Sequence, residues 1–370
     1  MTGATSEFTD VAEIRADVER TFVYEHGWQS WSPTGLYRAV STSPRPPDAG
    51  RQIMGYRPGK PAPRFGFQGE GLLAIVDAEG RGSVWSAPEP AREVPSIRVG
   101  AAKGRLIVSA DGRVVERSFD GGLAAALAAW AESTGVGEIR PVPPGWCSWY
   151  QYWGKVTEDD VLVNLAAIER LGLQIEIVQV DDGHQTHVGD WLESSPRFGS
   201  RSRLAARVCA TGCRAGIWTA PFLVAAGSRL ASEHRDWLVG GATAGRNWGE
   251  ELHVLDVTHP GAAEHLEGVY RTLSEDGFTY YKLDFLYAGA IDGQRFADAS
   301  PLDAYREGLR IVRTGVGEDA ILLGCGAPLL PSIGLVDAMR VGPDVDPHFE
   351  VRDADPSQPS MRGALSVGRS

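Results

Sequence analysis

Beyond residue 140 extended and helical patterns alternate along the chain, and this alternation constrains the fold more than any other feature. Residues 146–150 read as a strand. Thr157-x-x-Asp160 caps a helix with Val161, Leu165 and Ile168 on its apolar face, and Gly172 stops it. Ile175-Glu-Ile-Val-Gln-Val180 reads as a second strand running into Asp181-Asp182-Gly183. A helix around residues 204–209 stops at Gly212, and Ala215-Gly-Ile-Trp218 forms a third strand. After a long insertion, Pro260 opens a helix bearing Leu266, Val269 and Leu273, which Gly277 ends. Residues 279–285 form the fourth strand. Ser300-Pro301 starts a helix with Leu302, Tyr305, Leu309 and Val312 on one face, and residues 321–323 and 338–341 are strands five and six. Such a pattern implies a parallel sheet, either open and doubly wound or a (β/α)8 TIM-type barrel.

The first 140 residues have another texture. Short extended segments are broken by Gly and Pro: residues 71–76 turn through Glu79-Gly80 into Ser83-Val84-Trp85. Residues 106–109 turn at Asp111-Gly112 into Val114-Val115, a strong hairpin signal. This predicts an antiparallel β-sandwich. An Ala-rich helix over residues 123–133 leads into Pro141-Val-Pro-Pro-Gly145, a stiff boundary. The reading is therefore two domains: 1–140, a β-sandwich with a linker helix, and 141–370, an incomplete TIM-barrel catalytic domain.

Composition excludes several function classes. With 36 basic and 48 acidic side chains the net charge is −12, which argues against nucleic acid or anionic membrane as partners. No apolar run approaches the roughly 20 residues that cross a bilayer. Residues 1–7 lack the basic start and apolar core of a signal peptide, and four cysteines cannot form a disulfide framework, so a cytoplasmic setting is expected. Homo-oligomerisation stays open. Trp (11) equals Phe (11) and exceeds Tyr (10), so large flat rings are in demand.

In both architectures chemistry gathers beyond the carboxyl ends of the strands. Those ends carry Trp149-Tyr150, Asp181-Asp182, Trp218, Lys282-x-Asp284, Cys325 and Arg340-x-x-x-Asp344. No Gly-x-Gly-x-x-Gly or Gly-Lys-Ser/Thr loop is present to cradle phosphates, and no Gly-x-Ser-x-Gly elbow to present a nucleophilic serine. Paired carboxylates with aromatic platforms remain, the requirement of glycoside hydrolysis. Lys282 and Asp284, two apart on one strand, point to the same face, where the ammonium favours an ionised carboxylate.

Gly145-Trp-Cys-Ser-Trp-Tyr150, Val180-Asp-Asp-Gly-His-Gln185, Gly189-Asp-Trp-Leu192, Gly216-Ile-Trp-Thr-Ala-Pro-Phe222, Tyr281-Lys-Leu-Asp-Phe-Leu-Tyr287, Gly324-Cys-Gly326 and Arg340-Val-Gly-Pro-Asp344 stand in order along the chain. Together they resemble glycoside hydrolase family 36, the microbial α-galactosidases (melibiases), from about Thr21 onward. The upstream His26-Gly-Trp-Gln-Ser-Trp31 is similar to the segment with which that family's sandwich reaches toward the barrel. The resemblance implies Asp284 as nucleophile and Asp344 as general acid/base. It also implies Asp181 and Asp182 as ligands of galactose hydroxyls. Trp149, Tyr150, Trp218, Lys282, Cys325 and Arg340 would complete the subsite, with Trp28 or Trp31 contributed by the sandwich. It implies retention of configuration, a small oligosaccharide as substrate, and no metal or other cofactor. His184 stands where that pattern more often has Tyr, which places it at the rim.

Plainer readings stand beside these. Asp181-Asp182 before Gly, and Asp344 after Gly-Pro, are also ordinary turn residues, and Lys282 with Asp284 is also a simple ion pair. Asp190 and Asp256 read as structural, Cys209 and Cys213 as packing, and Trp130, Trp191, Trp237 and Trp248 as packing or rim. His253, His259 and His265 show no ligand spacing. Only six barrel strands precede Ser370, about 26 residues after Asp344, so the chain reads as the front of a longer gene. The leading expectation is an exo-α-galactosidase. The alternatives are a non-catalytic fragment with at most weak sugar binding, and a related α-N-acetylgalactosaminidase or galactosyl transferase.

Overall fold

The computed structural model describes residues 8–43, 57–60, 63, 65–134, 141–342 and 344–345. It divides into two compact units: Met1–Glu138 with Pro328–Ile333 and Val341–Ser370, and Ile139–Ala327 with Gly334–Arg340.

Among the described residues of the first unit nine strands form two antiparallel sheets. They are β1 (Thr9–Arg15), β2 (Thr21–Glu25), β3 (Gly35–Arg38), β4 (Phe67–Glu70), β5 (Leu72–Asp77), β6 (Arg81–Ser86), β7 (Ser96–Ala102), β8 (Arg105–Ala110) and β9 (Val115–Asp120). One sheet runs β1-β8-β7-β4, the other β3-β2-β5-β6-β9. Val23, Leu73, Ile75 and Trp85 of the second meet Phe67, Ile97, Val99, Leu106 and Val108 of the first in a buried core, which makes the unit a sandwich. The Ala-rich helix is Leu123–Ser133.

The Asp111-Gly112 hairpin does not form. β9 pairs with β6 in the other sheet, so the chain crosses between sheets at this point. The Asp111 carboxylate, instead of shaping a turn, accepts the Ser96 N–H at 2.7 Å and pins the end of β8 to the start of β7. A later segment also belongs to this unit. Leu329 N donates to the Trp28 carbonyl at 3.0 Å, and Leu330 Cδ1 fills the space beside Gly71 that a Cβ would occupy.

The second unit is built on six parallel strands: β10 (Gly145–Cys147), β11 (Ile177–Val180), β12 (Arg214–Thr219), β16 (Phe278–Leu283), β17 (Ile321–Cys325) and β18 (Ala338–Arg340). In the insertion after β12, β13 (Leu223–Ala225), β14 (Arg246–Asn247) and β15 (Glu250–Val254) make a small antiparallel sheet in the order β13-β15-β14. The parallel strands lie in sequence order without reversal. A doubly wound sheet reverses at its switch point; winding in one direction is that of a TIM-type barrel. Helices Glu158–Leu171, Arg201–Cys209, Pro260–Glu275 and Pro301–Val316 follow β10, β11, β12 and β16. Val161, Leu165 and Ile168 of the first, Leu266, Val269 and Leu273 of the third, and Tyr305, Leu309 and Val312 of the fourth are buried as their spacing predicts, while Leu302 is half-buried.

The first parallel strand is shorter than its sequence suggests. It ends at Cys147, and Trp149–Tyr152 coil into a helical turn. Ser148 causes the break: its N–H reaches the Gln179 carbonyl, its own carbonyl takes the Tyr152 N–H, and its hydroxyl takes the Asp181 N–H at 2.9 Å. The stretch after Val345 is outside the described residues, as is Pro343. Among the described residues no helix is long and apolar enough to cross a membrane.

Thr157 and Asp160 form a reciprocal capping box, and Gly172 closes the same helix in the left-handed region. Thr157→Ala is expected to lower unfolding stability by about 1 kcal/mol, read from the midpoint of denaturant unfolding; an unchanged midpoint contradicts the capping role.

Candidate active site

Parallel pairing sets the carboxyl ends of β10, β11, β12, β16, β17 and β18 along one edge, with Cys147 beside Gln179, Trp218 beside Lys282, and Cys325 beside Arg340. Charge gathers at that edge. Lys282 Nζ lies 2.9 Å from Asp181 Oδ2 and 3.7 Å from Asp284 Oδ2, with all three side chains buried. Burial opposes the ammonium, but Asp181 and Asp284 outweigh it and hold Lys282 well above the usual lysine range.

Asp284 is held on both oxygens. Trp218 Nε1 donates to its Oδ2 at 2.8 Å. The chain turns left-handed immediately afterwards, with φ 50° at Phe285, so the Phe285 N–H folds back onto Oδ1 at 2.9 Å. Burial alone would raise this carboxyl; Lys282 and Arg340, with hydrogen bonds from Cys325 and Trp218, reverse that and hold it below the usual carboxylate range. Asp284 is thus ionised, buried and aimed, the state a carboxylate nucleophile needs. The Cys325 thiol, raised by burial and by Asp284, stays protonated and is a donor.

Asp181 accepts from Gln179 Nε2, Cys147 Sγ and Lys282 Nζ. Asp182 accepts from Gln185 Nε2 on Oδ1 at 2.7 Å and from Trp248 Nε1 on Oδ2 at 2.8 Å. Burial raises the Asp182 carboxyl; the bonds from Gln185 and Trp248 lower it, while the charges of Asp181 and Asp284 add to the rise. Gly183 makes the turn after them possible: at φ 113°, a Cβ there would strike the Gly154 carbonyl oxygen at 2.7 Å.

Of the residues singled out in the sequence, Asp181, Asp182, Trp218, Lys282, Asp284, Cys325 and Arg340 come together. Tyr150 Oη stands 3.5 Å from Arg340 Nη1, and Trp149 packs edge-on against Trp153. Trp28 and Asp344 belong to the first unit, Trp28 buried beneath Arg57 and Asp344 half-buried. Trp218 is 1% exposed, so it backs Asp284 instead of offering an open platform. His184 is not at the rim. Its ring is buried, Nε2 bonds the Trp218 carbonyl at 2.9 Å, and burial lowers its pKa to about 4, so it is a neutral strut behind Trp218. Asp190 caps the Arg229–Glu233 helix, as a structural residue should. Sequence reasoning missed Gln179, Ser148, Gln185 and above all Trp248. Gln179 shares a strand face with Asp181, a signal that period-2 spacing offers.

A buried Lys-carboxylate cluster at the mouth of a barrel-type sheet, ringed by indoles and lacking a phosphate cradle, defines a glycosidase of the (β/α)8 class. The melibiase family model matches residues 147–289. An α-galactosidase from Thermus thermophilus, solved with p-nitrophenyl α-D-galactopyranoside, superposes with a TM-score of 0.80 at 31% identity, over 98% of this chain and 75% of that one. Its stachyose complex matches at 0.80 and 30%, over 97% and 79%. The Lactobacillus brevis α-galactosidase shares the fold at 0.61 and 15%, over 90% of this chain and 50% of its own. This chain belongs to the melibiase family, the family 36 α-galactosidases, and is a glycoside hydrolase of that type.

Lys282→Met removes the principal cation beside Asp284. The Asp284 carboxyl is expected to titrate below the usual carboxylate range in the native protein and to move upward in the variant, followed by 13C NMR; a carboxyl that stays put contradicts the assignment.

Proposed function

We propose that the chain is a retaining exo-α-galactosidase that releases terminal α-linked galactose from small oligosaccharides such as melibiose or raffinose. The observation that carries this is the hold on Asp284: buried at the end of β16, with Trp218 and the Phe285 N–H donating to its two oxygens and Lys282 3.7 Å away. Two carboxyl groups about 5–5.5 Å apart across the anomeric carbon give retention. The partner role falls to Asp344 through its place in the Arg340-Val-Gly-Pro-Asp344 motif. Asp284 attacks the anomeric carbon as the glycosidic C–O bond breaks, and the Asp344 proton passes to the leaving oxygen. Asp344, now a base, takes a proton from water, whose oxygen displaces Asp284 and frees galactose with its configuration retained. Asp181 and Asp182 accept from sugar hydroxyls, and Arg340 with Tyr150 borders the same edge. The Thermus enzyme's complexes with stachyose and an aryl galactoside support this substrate class. Four free cysteines suit a reducing, cytoplasmic setting.

Asp284→Ala is expected to cut turnover of p-nitrophenyl α-D-galactopyranoside by at least on the order of 10³-fold, with azide restoring activity as β-galactosyl azide. A variant that keeps its turnover sinks the nucleophile assignment. Asp344→Ala is expected to erase the basic limb of the kcat/KM profile and to harm poor leaving groups more than nitrophenol; an intact limb would move the acid/base role elsewhere.

A further inference from the structure

Trp248 sits in a place where a tryptophan is costly. β14 and β15 pair through Asn247 and Glu250, so Trp248-Gly249 is a two-residue hairpin loop, with φ of 51° and 80°. That is a type I′ turn, which Asn-Gly fills easily; a side chain like tryptophan is strained there. The residue is 38% exposed at the hairpin tip. Its indole reaches back across the site. Nε1 donates to Asp182 Oδ2 at 2.8 Å, the ring meets Trp218 edge-on at 6.3 Å, and it leans on Phe285 at 5.3 Å. Backbone strain at a residue whose one polar side-chain contact is a site carboxylate points to a function for that contact.

A carboxylate has about four acceptor positions. Gln185 fills one on Oδ1 and Trp248 one on Oδ2, which leaves a single direction on each oxygen. We propose that Trp248 is a specificity-determining positioning residue, whose indole N–H selects the directions in which Asp182 receives a sugar hydroxyl and whose ring walls that carboxylate. This rests on reading the site as galactoside-cleaving.

The groups acting on Asp182 are few. Burial, Asp181 and Asp284 raise it, Gln185 and Trp248 lower it, Lys282 pairs with Asp181 at 2.9 Å, and Arg197 bonds the Gly183 carbonyl. Loss of the indole donor therefore raises the Asp182 pKa, so the carboxylate is neutralised at a higher pH and the acid limb of kcat/KM moves up.

Trp248→Phe keeps a ring without the donor, and Trp248→Asn suits the turn. In the full chain, with p-nitrophenyl α-D-galactopyranoside, both are expected to lose roughly 10- to 100-fold in kcat/KM. Both should show an acid limb at higher pH, and Tm should be equal or higher in Trp248→Asn. Kinetics within twofold of wild type, an unmoved acid limb, or a fall in Tm matching the loss of activity would each overturn the proposal. If the wild-type chain shows no turnover, the galactosidase reading fails on its own. The 13C titration of Asp182 then still decides: an upward shift in Trp248→Phe supports the coupling, and no shift overturns it.

Discussion

The Lys282 ammonium, buried between Asp181 and Asp284, is the interaction on which the second unit's chemistry depends. Taking these charges out of water costs several kcal/mol per ion, and the pairing must repay it. With Lys282 in place each carboxylate has a cation within 4.0 Å. Without it two buried anions would face each other and one would take up a proton. The same contact thus sets local stability and keeps Asp284 charged. Arg340 acts on Asp284 from β18, so the outermost strand contributes its cation to the same carboxylate.

The backbone is bent to serve that cluster. Among the described residues, four that are not glycine have positive φ: Lys103, Trp153, Trp248 and Phe285. Lys103 is in a sandwich hairpin. Phe285 follows Asp284, Trp248 reaches Asp182, and Trp153 packs on Trp149. Strain collects where side chains must be aimed. The high tryptophan content finds a purpose here too, but a different one from open sugar platforms. Trp218 and Trp248 each spend an indole N–H on a carboxylate.

Much of this was legible in the sequence, for physical reasons. The Thr157 capping box, the helix stop at Gly172 and the period-2 placement of Lys282 and Asp284 are local rules, and local rules survive tertiary context. The Asp111-Gly112 hairpin failed because the pairing partner of a strand is a long-range choice, and Asp111 was needed to tie β8 to β7. The shortened first strand failed for a related reason: Ser148 satisfies the Gln179 carbonyl on β11 and the Asp181 N–H just after it, some thirty residues away in sequence. Trp248 was hidden because an exposed indole near a Gly looks like any rim residue until the hairpin brings it to Asp182. His184 was misplaced because the sequence alone says nothing of the Trp218 carbonyl that it braces.

Covalent capture of the glycosyl intermediate tests the central claim most directly. An activated fluoro-α-galactosyl fluoride, whose intermediate hydrolyses slowly, should leave one galactosyl residue on the protein, located by peptide mass spectrometry. The label is expected on Asp284, within Tyr281-Lys-Leu-Asp-Phe-Leu-Tyr287. A label on Asp181, Asp182 or any other side chain would contradict the account.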